Sequence, residues 1–306
     1  MGGIGLARQF SLAHLTVLGC APPEMTYIAA RAGYDFVSFR LIYMGLANEP
    51  DYSLDSNREL YRQTRRALAD TGLKLHDIEL ARIYDGLNPR SYLPAMEIAA
   101  ELGARHVLTS IWTPERNFAV ESFAALCDLA KPLGLTVNLE FVTWANVATL
   151  REATSILEDA ARDNCGILVD TLHFHRSKVD LAELKALPVQ WLHFAHLCDA
   201  PKPIPAATEE IIRTGREERL YVGEGEIDIA GILRRMPELP CSIELPHAKR
   251  VKELGYAEHA WRCLQTAKAY LAANSIPVDG CASETEFFKK LKNPYPEAER
   301  NLNFSF

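Results

Sequence analysis

The sequence predicts an α/β protein, a (β/α)8 TIM barrel with a short C-terminal extension. Eight strand-like segments alternate with eight helix-like segments within about 270 of the 306 residues, and this count matches one barrel. Four of the helices end in glycine just before the next strand, which is typical of the turn between a helix and a strand. A doubly wound open sheet is the alternative. It suits six strands better than eight, and no G-x-G-x-x-G motif follows the first strand.

The first half of the chain supplies four strand–helix pairs. Its strands are short apolar runs, and its helices carry apolar residues at helical spacing. The helix over 54–72, for example, ends at Gly72, a residue that tolerates the left-handed conformation of a C-cap. The predicted strands are 14–19, 34–42, 74–83 and 105–112, and the predicted helices are 22–33, 54–72, 89–103 and 115–134.

The second half supplies four more pairs, and a long loop over 199–226 separates its third strand from the helix that follows. We assign residues 1–274 to the TIM barrel catalytic domain and residues 275–306 to a C-terminal tail. The tail is polar, and we expect it to cover the barrel or a neighbouring subunit in a homo-oligomer. The predicted strands are 136–142, 165–174, 189–197 and 241–246, and the predicted helices are 146–163, 180–188, 229–239 and 256–274.

Composition excludes several classes of protein. Hydrophobic residues make up 48% and charged residues 24%, as in a globular chain rather than a disordered one. The formal net charge of −7 argues against a nucleic-acid partner. No apolar run approaches the roughly 20 residues of a membrane span. The seven cysteines are odd in number and form no C-x-x-C motif, which predicts reduced, buried thiols in a cytoplasmic protein.

Acidic and imidazole side chains stand at the ends of the last four predicted strands. Residues 168–177 read LVDTLHFHRS, an apolar run that finishes in an acid and two imidazoles. A TIM barrel carries its active site at the C-terminal ends of its strands, so these groups belong to one rim. The rim residues are Glu140, Asp170 with His173, His196 with Asp199 beyond it, and Glu244 with His247 beyond it.

One divalent cation explains four of these residues together. A lone buried histidine is usually a satisfied core residue, but ionisable groups on four adjacent strands would each need a separate buried partner. Three carboxylates and one imidazole form an oxygen-rich ligand set, which suits Mn²⁺, Mg²⁺ or Co²⁺ and also accepts Zn²⁺. We therefore predict one metal ion held by three carboxylates and one imidazole of this rim.

Several short motifs connect this rim to a known superfamily. The segments LEF, LVDTLHFH, FAHLCDA and SIELPH, with VGEGEIDI between the last two, resemble the xylose isomerase-like barrel superfamily. Its members are often called sugar phosphate isomerases/epimerases, and the resemblance covers roughly residues 10–273. It implies that the four metal ligands are Glu140, Asp170, His196 and Glu244. It also implies that His173 hydrogen-bonds a substrate oxygen.

The expected chemistry is proton transfer next to a carbonyl group. A cation that binds adjacent hydroxyl and carbonyl oxygens acidifies the C–H bond between them by stabilising an enediolate. The resemblance implies that Glu140 and Glu244 act as the base and the acid, which predicts an isomerase or epimerase acting on a sugar-like small molecule. Loss of a β-hydroxyl from the same enediolate would instead make the protein a dehydratase of the 3-dehydroshikimate or inosose dehydratase type.

The chain departs from the motifs of two subgroups. Ketose 3-epimerases have an E-x-x-N-R-type continuation after the glutamate of the fifth strand, where this chain reads EFVTWAN. Dehydroshikimate dehydratases tend to have a histidine two residues after that glutamate, where this chain has Val142. The reaction type therefore stays open at this stage.

Two further hypotheses come from other classes of protein. A DNA-repair endonuclease of the same superfamily is disfavoured, because the chain is acidic and lacks the D-x-H motif expected after the seventh strand. A barrel without enzymatic activity is also disfavoured, because the set of four ligands is intact.

Four more residues are candidates for substrate binding. Lys202 lies six residues after His196, where some epimerases carry a substrate-binding arginine. Trp112 and Trp144 follow the fourth and fifth strands and offer an apolar wall for a sugar-like ring. Glu79 lies near the end of the third strand, on the same rim.

Arginines near the rim are candidates for an acidic group of the substrate. Arg82 ends the third strand beside Glu79. The segment RTGREERLY in the long loop adds Arg213, Arg216 and Arg219, one of which is a candidate to hold a carboxylate or phosphate. The alternative is that this charge run forms a solvated face.

Overall fold

Eight parallel strands close into a barrel. The computed structural model describes residues 7–45 and 49–292, and within these ranges every strand pairs with both neighbours, β1 with β8 included. The strands are β1 (Phe10–Ala13), β2 (Phe36–Arg40), β3 (Lys74–Ile83), β4 (His106–Ile111), β5 (Thr136–Glu140), β6 (Cys165–Asp170), β7 (Ala195–Leu197) and β8 (Cys241–Ile243). The predicted (β/α)8 fold is confirmed.

Helices alternate with the strands and surround the barrel. Those found in the described ranges are α1 (Pro22–Ala32), α2 (Arg58–Thr71), α3 (Leu93–Glu101), α4 (Arg116–Ala130), α5 (Leu150–Ala160), α6 (Thr171–Arg176), α7 (Leu181–Lys185), α8 (Thr208–Glu217), α9 (Ile229–Leu233), α10 (Ala248–Ala273) and α11 (Glu284–Lys292). Helices α1 and α2 end as predicted, at Gly33 (φ +92°) and Gly72 (φ +71°) in the left-handed conformation.

Strand alternation decides which side chains face the inside of the barrel. Along β5, Val137 and Leu139 belong to the main hydrophobic core between the strands and the helices. Asn138 and Glu140 therefore point into the barrel. The same alternation along β6 and β7 turns Asp170 and His196 into the barrel at its C-terminal end. This end of the barrel carries the candidate site.

Three histidines pack together at the N-terminal end of the barrel. The ring of His76 lies 4.9 Å from that of His106, which lies 5.4 Å from that of His193. Phe36 and Phe194 each lie 5.0 Å from the His76 ring. Burial lowers the pKa of His76 to about 4, so this cluster is neutral near pH 7.

The first strand lies earlier in the chain than predicted. It spans Phe10–Ala13, and His14–Val17 forms a short 3₁₀-helix instead of the strand expected over 14–19. The buried His14 ring explains the change, because it satisfies two backbone groups outside the sheet. Its Nδ1 accepts a hydrogen bond from the Arg40 N–H (2.8 Å), and its Nε2 lies 2.9 Å from the Cys20 carbonyl oxygen.

The sixth and seventh strands are shorter than predicted. The sixth ends at Asp170 rather than at residue 174, because the Asp170 carboxylate accepts hydrogen bonds from the N–H groups of Leu172 (2.7 Å) and His173 (3.0 Å). This N-cap starts α6. Strand β7 has three residues, and the long loop that follows it contains α8.

The described part of the tail packs against the barrel. In α11, the Phe287 ring stacks on Trp261 of α10, with ring centroids 5.1 Å apart. Residues 293–306 lie outside the described residues. The domain boundary after residue 274 stays a prediction.

Two expectations from composition concern cysteines and membranes. The seven cysteines form no disulfide, and all except Cys281 are buried, in agreement with the prediction. Across residues 7–45 and 49–292, no helix has both the length and the apolar character needed to cross a bilayer.

Candidate metal centre

The four predicted ligands meet at the C-terminal end of the barrel. One ligand atom from each of Glu140, Asp170, His196 and Glu244 lies within 4.8 Å of the other three. Atoms bound to one ion at about 2.0–2.6 Å are separated by at most about 5 Å. Glu140 and Asp170 are the last residues of β5 and β6, His196 is in β7, and Glu244 directly follows β8.

Buried polar atoms without partners indicate that these ligands fit an ion. Each of the four residues is at most 5% exposed. Glu140 Oε1 and both ring nitrogens of His196 have no hydrogen bond among the described residues, which is rare for buried polar groups. His196 Nδ1 lies 3.9 Å from Glu140 Oε1, 3.9 Å from Asp170 Oδ2 and 3.4 Å from Glu244 Oε2. The donor set and spacing suit one divalent cation.

The three carboxylates create a strongly negative environment. Burial alone lowers the pKa of His196, but the charges of Glu244, Glu140 and Asp170 outweigh burial and raise it to about 10. Burial, reinforced by the charges of Glu244 and Asp170, raises the pKa of Glu140 well above its ordinary value. The carboxylate charges contribute to both shifts, because the ligands carry more negative charge than the surrounding residues neutralise. A bound divalent cation would remove this imbalance.

Arg219 is a fifth member of the centre. Its Nη1 lies 2.7 Å from Asp170 Oδ2 and 2.9 Å from Glu244 Oε2, and its Nε donates a hydrogen bond to the Gly215 carbonyl oxygen (2.7 Å). The side chain is 3% exposed. Burial opposes its charge, yet the carboxylate of Asp170 keeps the pKa of Arg219 well above its ordinary value. One divalent cation and this guanidinium together balance the charges of the three carboxylates.

His173 lies beside the ligands, on α6 rather than on a strand. The Thr143 N–H donates to His173 Nδ1 (3.3 Å), and the Thr143 hydroxyl oxygen lies 3.0 Å from the same nitrogen. This contact places the ring hydrogen on Nε2. Burial lowers the pKa of His173 to about 4, so the ring is neutral near pH 7 and can donate from Nε2.

A cavity of about 680 Å³ opens at the centre. Trp112 and Trp144 line it; the Trp112 Nε1–H donates to Ser110 Oγ (2.8 Å), which fixes the indole. Glu79 also lines it, and its Oε1 lies 3.5 Å from Nε of Arg40. The predicted substrate-binding residues that share this cavity are His173, Trp112, Trp144 and Glu79.

Lys202 is placed elsewhere, contrary to the prediction. Its side chain is exposed and lines a separate cavity of about 280 Å³ together with His175. The chain turns away from the rim after β7, because the Arg176 guanidinium holds the next segment beside α6. It donates to the carbonyl oxygens of Pro201 (3.3 Å) and Pro203 (2.8 Å).

The outer rim residues Asp199 and His247 organise loops instead of joining the four ligands. The Asp199 carboxylate accepts hydrogen bonds from the N–H groups of Gly223 (3.0 Å), Gly225 (3.0 Å) and Ile227 (3.1 Å). His247 is the N-cap of α10. These contacts hold the loops that border the centre.

Sequence reasoning missed Arg40. It named Arg219 only as one of three loop arginines that were candidates to hold a carboxylate or phosphate, whereas Arg219 pairs with Asp170 and Glu244. Arg40 ends the apolar strand β2, which is the same signal that identified Glu140 on β5. Arg219 offers no such signal. Within its loop it looks like Arg213, which is half-exposed and pairs with Glu218.

Fold and site together define a class of protein: a TIM barrel with a buried, oxygen-rich candidate metal centre. A family model described as "Xylose isomerase-like TIM barrel" matches residues 27–267. The chain belongs to this family.

Two relatives with detectable sequence similarity to this chain are named as enzymes. It is 25% identical to the inosose isomerase of Bacillus velezensis over 224 residues, which cover 69% of this chain and 77% of the relative. It is also 25% identical to the 3-dehydroshikimate dehydratase of Pseudomonas putida over 240 residues, which cover 74% of this chain and 35% of the relative. The crystal structure of the IolI protein with a bound zinc atom has the same fold, with a TM-score of 0.73 at 20% identity, covering 87% of this chain and 99% of that one.

Proposed function

We propose that the protein is a divalent-metal-dependent isomerase or epimerase acting on a sugar or a related polyhydroxy carbonyl compound. One observation carries this proposal: of the four ligands, Glu140 and Glu244 line the cavity, whereas Asp170 and His196 do not. A carboxylate that faces the cavity can reach a C–H bond of a bound substrate. An enclosed ligand can hold only the ion.

Glu140 and Glu244 have positions suited to a base and an acid. Strands β5 and β8 are separated by two strands in the barrel, so the two carboxylates approach the cavity from different directions. One carboxylate removes a proton from the carbon beside the carbonyl group. The other returns a proton to the opposite face, which inverts the centre, or to the neighbouring carbon, which isomerises the compound. A bound divalent ion would act as a Lewis acid that stabilises negative charge on the substrate oxygens.

Other cavity residues would orient the substrate. His173 donates a hydrogen bond from Nε2 to a substrate oxygen, and Trp112 and Trp144 cover the sugar-like ring. We propose Mn²⁺, Mg²⁺ or Co²⁺ as the ion, with Zn²⁺, which the IolI neighbour binds, as a further choice. We also propose a cytoplasmic location, which the buried, unpaired cysteines support.

A metal-dependent dehydratase is the second candidate. The same proton removal, followed by loss of a β-hydroxyl, would give an unsaturated product. The similarity to 3-dehydroshikimate dehydratase supports this alternative, and so do Arg82 and Arg216, which line the cavity and suit the carboxylate of a shikimate-type acid.

Deuterium exchange separates these reactions. The metal-loaded protein is incubated in D₂O with ketoses, aldoses, inososes and 3-dehydroshikimate, and NMR detects deuterium beside the carbonyl group. A new ultraviolet absorbance reports dehydration. We expect exchange that requires the metal and disappears in Glu244→Gln, while the control Glu286→Gln, on the exposed face of α11, keeps it. Absence of exchange and of new absorbance across the panel would overturn the proposal.

A further inference from the structure

Among residues 7–45 and 49–292, four arginines line the cavity, and two of them are neutralised by acids. Arg219 pairs with two metal ligands, as described above. Arg40 lies 3.5 Å from Glu79 Oε1 and 3.9 Å from Glu49 Oε1, and all three of these side chains are buried. These two guanidinium groups therefore hold the acidic residues of the site in place and are not free to bind an anion.

The other two, Arg82 and Arg216, have no acidic partner in the part of the chain that the structure describes. Arg82 is half-buried and donates a single hydrogen bond there, to the carbonyl oxygen of Met44 (3.3 Å). Arg216, near the end of α8, makes neither a hydrogen bond nor an ion pair with any described residue. Glu217, the nearest acid along the chain, is exposed and also borders a neighbouring cavity.

The two groups interact electrostatically. Partial burial lowers the pKa of Arg216, and the positive charges of Arg82 and Arg40 lower it further, while Glu217 opposes them. Arginine keeps its proton in proteins, so the repulsion between these groups persists in the free protein. A negatively charged ligand between Arg82 and Arg216 would relieve it.

The metal centre does not supply that negative charge. Its three carboxylates would be balanced by Arg219 and a divalent ion. The other acids that line the cavity in the described ranges are Glu49 and Glu79, which lie against Arg40, and Glu217, which forms no ion pair with Arg82 or Arg216. The positive charge of Arg82 and Arg216 thus faces a cavity large enough for a sugar-sized compound with a charged substituent.

We propose that Arg82 and Arg216 bind an anionic group of the substrate, a carboxylate or a phosphate, while the metal centre holds its hydroxyl and carbonyl oxygens. This inference rests on the proposed function, because it assigns the substrate class of the same site. Guanidinium groups suit both anions, since each can donate two parallel hydrogen bonds to them. The substrate is then a sugar acid, a cyclic hydroxy acid or a sugar phosphate rather than a neutral sugar.

Matched substrates test the inference. Deuterium exchange is measured for neutral, carboxylate and phosphate forms of one sugar, such as fructose, fructuronate and fructose 6-phosphate, and for inosose against 3-dehydroshikimate. We expect one anionic form to have at least about 10-fold higher kcat/KM than its neutral counterpart, the value of one charge-assisted hydrogen bond. The form with the higher kcat/KM, carboxylate or phosphate, identifies the anion that the two arginines bind.

Variants assign the preference to the two arginines. Arg82→Gln and Arg216→Gln should each lower kcat/KM about 10- to 100-fold for the anionic form, mainly through KM, and should leave the neutral form unchanged. Arg216→Lys should restore part of the loss, because it keeps the charge without the paired donors. The control is Arg213→Gln, also on α8 and paired with Glu218 outside the cavity. Equal effects of all the Gln variants, or a preference for the neutral form, would overturn the inference.

A binding measurement separates failure of this inference from failure of the proposed function. Should no compound exchange, the proposed function fails. Calorimetry of the metal-loaded protein with malonate and with inorganic phosphate then decides the anion site alone. Binding that is lost in Arg82→Gln and Arg216→Gln but kept in Arg213→Gln supports the site. Absence of binding, or binding that all three variants keep, removes it.

Discussion

Asp170 and Arg219 form an ion pair with 2.7 Å between Oδ2 and Nη1, although 49 positions separate them in the chain. The same Nη1 lies 2.9 Å from Glu244 Oε2. A fixed positive charge therefore touches two of the four candidate ligands. In the metal-free protein this charge is what keeps two buried carboxylates together.

Replacement of Arg219 should destabilise the metal-free protein more than the metal-bound protein. Arg219→Gln leaves Asp170 and Glu244 buried without their cationic partner, which we expect to lower the free energy of unfolding by about 3–5 kcal/mol. A divalent ion should recover more stability in this variant than in the wild type. Urea unfolding with EDTA and with saturating Mn²⁺ measures both quantities. Equal metal-induced stabilisation of the two proteins would argue against this compensating role.

Substitutions of an enclosed ligand, Asp170, and of a cavity-facing ligand, Glu244, should affect metal binding and turnover differently. Asp170→Asn should weaken metal binding by at least about 10-fold, because it removes a charged ligand, and should regain turnover when the metal concentration is raised. Glu244→Gln should lose turnover by at least about 1,000-fold even at saturating metal, because it removes a proton-transfer group. Metal titration calorimetry alongside turnover assays separates the two effects. An active Glu244→Gln enzyme would remove Glu244 from the proposed mechanism.

Gly215 should control the position of the Trp144 indole. A methyl group at residue 215 would lie 2.4 Å from Trp144 Cη2, so Gly215→Ala has to displace the ring from the cavity wall. We expect a shift in tryptophan fluorescence and a rise in KM of about 3- to 10-fold, equivalent to about 1 kcal/mol of lost contact. The control is Gly280→Ala, where a methyl group meets open space. An unchanged spectrum and KM in Gly215→Ala would contradict this expectation.

The histidine cluster at the N-terminal end of the barrel should make the fold sensitive to acid. Burial lowers the pKa of His76 from 6.5 to about 4 in the folded protein. Between these pH values the unfolded chain takes up a proton that the folded protein does not, so stability is lost as pH falls from 6.5 to 4. For His76 alone the loss is about 3 kcal/mol.

His76→Phe tests this source of acid sensitivity. The variant keeps an aromatic ring against Phe36 and Phe194 but cannot titrate. Urea unfolding at a series of pH values, with EDTA present in every sample, should give a shallower decline for the variant than for the wild type. Parallel curves would show that His76 is not the source.

Strand-end chemistry is the part of the site that the sequence could predict. Alternation along a strand is a local property, and Glu140, Asp170 and His196 each end or follow an apolar run, so their common direction follows from the barrel. Lys202 was expected at the site for another reason, its resemblance in position to a substrate-binding arginine of some epimerases, and it lines a separate cavity. Its position depends on hydrogen bonds from Arg176 to the following segment, which no local pattern reveals.

The position of Arg219 and the position of the first strand depend on contacts between segments that are distant in the sequence. Arg219 reaches the centre because α8 folds back over the rim, and its loop sequence resembles any exposed charged run. The shift of the first strand to Phe10–Ala13 depends on a buried contact between His14 and the backbone of Arg40. Both are tertiary interactions, and short-range hydrophobic spacing carries no information about them.

The four candidate metal ligands come from β5 to β8, whereas Arg40, Glu79 and Arg82 come from β2 and β3. Arg82, one of the two residues proposed to bind the anion, therefore lies on a strand that carries no candidate ligand, whereas the other, Arg216, lies on α8 between β7 and β8. Substitutions at Arg82 should change the charge preference of the proposed enzyme while the four candidate ligands stay in place. This separation offers protein engineers a starting point, and it gives evolution a simple way to diversify one reactive centre.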